Sequence, residues 1–321
     1  MKTPLFFVAL LCVGICELGT VQASFAQPTA PNYKQILVQS KQDLKDKDYA
    51  AVEEEAQEML VSAITPEEKV TALVILGESF YRRKLYDQAR AEWSKILTLK
   101  TDEDDGDDFQ TFAHIALAKS YSAEGHFDKA IPEYKAGMDG FKDEEEDETD
   151  KKDADTHEGM SSLVGVFSLA LANAYYNTKQ LDLAREQLRE VVKPSQDKSL
   201  GALTDLTRML ALTRSGQMSM EQRRFKKSLD EFNQVLVIVD KFNQASPTQK
   251  VASTLKEFVQ QQTEGINKLI PLQLEEGEVN STLAFRVKRL EEFDIKIDAA
   301  IQGIIDDFIF EGIIETLGSD D

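Results

Sequence analysis

Three histidines, His114, His126 and His157, are the first side chains to weigh for chemistry, because imidazole serves as acid, base and metal ligand. None has a second His or a Cys at ligand spacing, so a transition-metal site lacks its usual donors. The only two cysteines, Cys12 and Cys16, fall near the start of the chain. No phosphate loop, dinucleotide fingerprint, zinc-protease helix or nucleophile elbow occurs. With 57 acids, no carboxylate pair stands out as general acid and base. Asn280-Ser281-Thr282 matches a glycosylation sequon, which matters only in a eukaryotic secretory route. These residues lead to the expectation of a protein that is not an enzyme and uses no cofactor and no metal.

Clustered carboxylates are the one remaining source of ligand chemistry. Asp102 to Asp108 holds six acids and no base, and Asp143 to Glu158 holds ten acids and two lysines. Together they carry -14 of the formal charge of -20. Calcium prefers such oxygen donors, but with Gly106 as the turn glycine of a calcium loop the first and twelfth positions would be Thr101 and Phe112, and neither can serve. The runs are therefore expected to be solvated, mobile loops. An acidic, cation-binding (calcium) or secreted protein acting through these loops is the alternative reading of function. The overall charge argues against nucleic acid or an anionic lipid surface as the main partner.

The elements that would position a binding surface can be read from the rest of the chain. Its 321 residues are 42% hydrophobic with only 16 Gly and 8 Pro, which favours long helices around a sizeable core. Residues 1–26 read as a secretory signal: Lys2, an apolar run from Pro4 to Cys16, then small residues up to Ala26. That run is too short to span a bilayer, and Glu17 interrupts it. Cleavage after Ala26 removes both cysteines, so the expected mature protein has no disulfide, no membrane insertion, and a place in the periplasm or outside the cell.

One pattern then recurs. Leu73 to Phe80 carries Gly77 at its centre, followed by a turn at Arg83-Lys84, then Tyr86, Ala89 and Trp93. Leu117, Ala118 and Tyr121 precede a turn at Glu124-Gly125, then Phe127, Ala130 and Tyr134. Leu171, Ala172 and Tyr175 precede a turn near Thr178-Lys179, then Leu181, Ala184 and Leu188. On these residues the chain resembles the tetratricopeptide repeat family. That resemblance implies an all-α fold, a right-handed α-solenoid of helix pairs. The small residues let neighbouring helices approach, and Phe80, Tyr121 and Tyr175 fill the space between them as core.

Weaker copies flank these three. Gly216, Phe225, Ser228 and Phe232 keep the spacing although serine replaces alanine, and Tyr49, Val52, Ala56 and Leu60 keep a second helix at the front. The markers Val52, Ala89, Ala130, Ala184 and Ser228 are separated by 37, 41, 54 and 44 residues, against a family period of about 34. The surplus holds the acidic insertions near 101–109 and 143–160, within a repeat region of 27–245.

Residues 246–321 are expected to form a helical extension. Its apolar positions keep helical spacing from Val251 to Ile270, stop at Pro271, and resume from about Thr282. The face made by Phe293, Ile297, Ala300, Ile301, Ile304, Ile305, Phe308, Ile309 and further isoleucines must lie against something, either as a cap on the repeat stack or docked on a partner, including a homodimer through this C-terminal helix. Asp298, Asp306, Asp307, Glu311 and Glu315 leave its polar side too negative for anionic lipid.

A repeat stack presents the first helix of each pair on its concave wall. The resemblance puts Glu78, Tyr81, Arg82, Lys119, Ser122, Asn173, Tyr176, Asn177 and Gln217 on that wall as a peptide-binding groove. The expected partner is a protein or peptide, with Tyr81, Arg82 and Tyr176 contributing most. The expected activity is that of a non-catalytic exported scaffold or adaptor, of a kind that resembles proteins assisting complex assembly in the Gram-negative envelope. A carboxylate clamp known in the family wants lysine one turn before asparagine; Leu169 precedes Asn173 here, so that activity is not expected.

Overall fold

The computed structural model describes residues 33–99, 103–147, 154–192, 202–240, 248–269 and 297–306. Every element among them is helical, and no strand occurs among the described residues. In chain order the helices are α1 (Tyr33–Asp46), α2 (Tyr49–Ser62), α3 (Pro66–Arg82), α4 (Tyr86–Ile96), α5 (Glu103–Ala123), α6 (Phe127–Asp147), α7 (Ala154–Asn177), α8 (Leu181–Val191), α9 (Ala202–Glu221), α10 (Phe225–Val239) and α11 (Thr248–Leu269). A last helical segment, α12, covers 297–306. The signal region, the sequon and the apolar positions from Ile309 onwards lie outside the described residues.

Two compact units divide the chain: Met1–Met160 with Ile305–Asp321, and Ser161–Ile304. In the first, successive helices from α1 to α6 pack neighbour on neighbour, and α1 also reaches α3. The Tyr33 hydroxyl donates to the Glu68 carbonyl at 2.7 Å and so ties α1 to the first turn of α3. That turn is fixed locally: Thr65 accepts from the Glu68 amide, Glu68 accepts from the Thr65 amide in return, and Pro66 stands where a helix needs no amide donor. In the second unit α8 to α11 pack in the same serial way, and α9 also reaches α11.

One turn geometry recurs five times. Lys47, Lys84, Gly125, Lys179 and Arg223 all adopt positive φ, between 58° and 81°. After each comes an amide that bonds six residues' span back into the preceding helix: Asp48 to Asp43, Leu85 to Phe80, His126 to Tyr121, Gln180 to Tyr175, and Arg224 to Ser219. Five residues beyond each turn residue stand Val52, Ala89, Ala130, Ala184 and Ser228, every one of them fully buried. Seven residues before it stand Ser40, Gly77, Ala118, Ala172 and Gly216, all small and all buried. Helix pairs can therefore close on small side chains.

The closest approaches show why. A Cβ added to Gly77 would lie 2.2 Å from the Trp93 ring, and one on Gly216 would lie 2.5 Å from Phe232. Glycine is required there by space. Ser228 fits where alanine was expected because its hydroxyl donates to the Gly216 carbonyl at 2.7 Å, so the buried oxygen is satisfied. The front pair, whose Val52 and Asp43 depart from the pattern, keeps the same turn and the same buried positions.

The acidic runs differ from the loops expected of them. Residues 103–108 form the first turns of α5, and 143–147 and 154–158 continue α6 and α7. Extending an established helix costs far less than starting one. The surplus length between repeats is thus taken up largely by longer helices.

Candidate functional site

The recurring turn gives each first helix a common register, and the expected wall residues occupy matching places in it. Glu78, Lys119, Asn173 and Gln217 each stand six residues before a turn residue; Tyr81, Ser122 and Tyr176 stand three before. The structure buries Glu78, Tyr81, Lys119, Asn173, Tyr176 and Gln217 and leaves Arg82, Ser122 and Asn177 half-buried. Sequence spacing put all nine on an open wall. Two clusters collect most of them.

In the first unit the cluster centres on Lys119 of α5. Its ammonium is 0% exposed, pairs with Glu78 at 2.8 Å and with Asp306 of α12 at 3.1 Å, and stands 3.9 Å from the centroid of the Tyr81 ring. Tyr81 donates its hydroxyl to Asp306 at 3.3 Å, and Arg82 pairs with the other oxygen of Glu78 at 2.9 Å. Burial, with Asp306 and Glu78 adding to it, pushes the Tyr81 phenol far above its ordinary range, so this hydroxyl stays a proton donor. A buried cation is stable only when paired, and here two carboxylates and an aromatic face surround it.

In the second unit the cluster centres on Arg214 of α9, also 0% exposed. One of its terminal nitrogens donates to the Asn173 side-chain oxygen at 2.6 Å and to Asp298 of α12 at 2.7 Å. The other donates to Gln217 at 3.2 Å, and the guanidinium lies 4.2 Å from the Tyr176 ring centroid. Asn173 donates its amide to the same Asp298 oxygen at 2.8 Å, with Asn177 at 3.5 Å. Tyr176 donates to Glu221 at 2.5 Å.

The two clusters share a plan: a cation from one first helix stacks on the tyrosine that stands three before the turn in the preceding pair, and a carboxylate of α12 closes it. Ser122 stands apart, with its hydroxyl 3.3 Å from that of Tyr134. Arg214, Asp298 and Asp306 were not among the expected wall residues. Arg214 could have been suspected as the lone cation in the run Met209 to Gly216, where every neighbour is apolar or small. The aspartates gave no such sign, because many acids flank them.

α12 is held by apolar contact as well. Ile297, Ile301, Ile304 and Ile305 are buried, while Asp298 and Asp306 keep roughly a quarter to a third of their surface. The extension was expected to cap the stack or to dock on a partner; within the first unit Asp306 meets α3 and α5, and within the second Asp298 meets α7 and α9.

His114 pairs with Glu133 at 2.7 Å, and His126 lies 3.6 Å from Glu124. Among the described residues no group of three or more His, Cys, Asp or Glu side chains is arranged to hold a metal ion. The side chains of the acidic runs lie outside the described residues. None of the described helices is long and apolar enough to cross a membrane. No protein-family model matches the chain, and comparison with curated proteins finds none similar to it.

Proposed function

We propose that the chain is an exported, non-catalytic scaffold or adaptor, a right-handed tetratricopeptide-like solenoid that holds a helical protein or peptide partner on its first helices in the periplasm or outside the cell. The five matching turns and the serial packing of helices within each unit support the repeat reading. Assembly of complexes in the cell envelope is the task such a scaffold would serve.

One observation carries the binding reading. The first-helix residues Lys119, Tyr81, Asn173 and Arg214 already grip carboxylates borne on a helix, which is the chemistry a helical ligand would offer. Affinity capture from the envelope fraction with the full chain, compared with Arg82→Ala/Asn177→Ala, tests it. Those two side chains are half-buried, so the fold should survive. Loss of a captured protein in the variant supports the wall as the binding surface, and an unchanged set of captured proteins counts against it.

A further inference from the structure

We draw no further inference here: the strongest candidate, the side-chain cluster of the second unit in which Asn173, Asn177 and Arg214 converge on one oxygen of Asp298, is filled by the chain's own carboxylate, and nothing in the structure shows what else would take its place.

Discussion

The ammonium of Lys119 rests 3.9 Å from the centroid of the Tyr81 ring, and both side chains are buried. Lys119 also pairs with Glu78, itself 1% exposed, so the pair sits in a place where neither charge is well hydrated. Lys119→Met keeps the length of the side chain but leaves Glu78 without this ammonium. The expected loss is about 3–5 kcal/mol in urea unfolding, the usual cost of breaking a buried pair. Tyr81→Phe removes the hydroxyl contact to Asp306 and should cost about 1 kcal/mol. A smaller loss for methionine than for phenylalanine would show that the charge pair is not central.

Gly77 faces the Trp93 ring so closely that a Cβ would meet it at 2.2 Å. Both residues are buried, and the tryptophan cannot swing into solvent. Gly77→Ala should therefore destabilise the protein by about 1–3 kcal/mol through overpacking, even though alanine is the better helix former. In a double-mutant cycle, Trp93→Leu should relieve much of that penalty, with a coupling energy of about 1 kcal/mol or more. Additive effects would place the strain elsewhere.

The five turns invite a matched comparison. Lys84 and Lys179 hold positive φ at a cost that glycine does not bear, whereas Gly125 holds it freely and has open space around its missing Cβ. Thermal melts should show Lys179→Gly raising stability by about 0.5–1 kcal/mol. Gly125→Ala should lower it by about 1 kcal/mol. Opposite signs at equivalent turns would be hard to obtain from side-chain contacts.

Tyr33, Tyr81 and Tyr134 are buried, and burial drives all three phenols upward. Each stays protonated in the folded chain at a pH where the unfolded chain has lost the proton. The folded state then binds more protons, so stability is full below the ordinary tyrosine value of about 10 and falls as pH rises beyond it, by about 1.4 kcal/mol per pH unit for each such phenol. Absorbance at alkaline pH should show these three tyrosines ionising only as the chain unfolds. Smooth ionisation of every tyrosine in one step, with the helical signal intact, would contradict their burial.

The repeat was legible because close packing leaves a mark in residue size. Gly77, Ala118, Ala172 and Gly216 announce where helices touch, and Ala89, Ala130 and Ala184 mark the return face; these are local spacings that the chain states outright. The front pair was harder, since Val52 and Asp43 carry no small-residue or aromatic sign; its membership rests on the Lys47 turn, a backbone angle that lysine does not advertise. Acidity misled at 103–108 and 143–147: charge tells whether a segment can pack, not whether it can prolong a helix that has already started.

What the sequence determined by itself is the helical class, three of the five turn positions and the list of residues on the first helices. What only the tertiary structure decided is which of those residues face one another and what lies upon them. Lys119 and Glu78 are 41 residues apart, and Asn173 and Asp298 are 125 apart. Local spacing sets which face of a helix a side chain takes, but the meeting of such distant groups depends on how whole helices stack. An aspartate among 57 acids acquires meaning only when that stacking brings a buried cation to it.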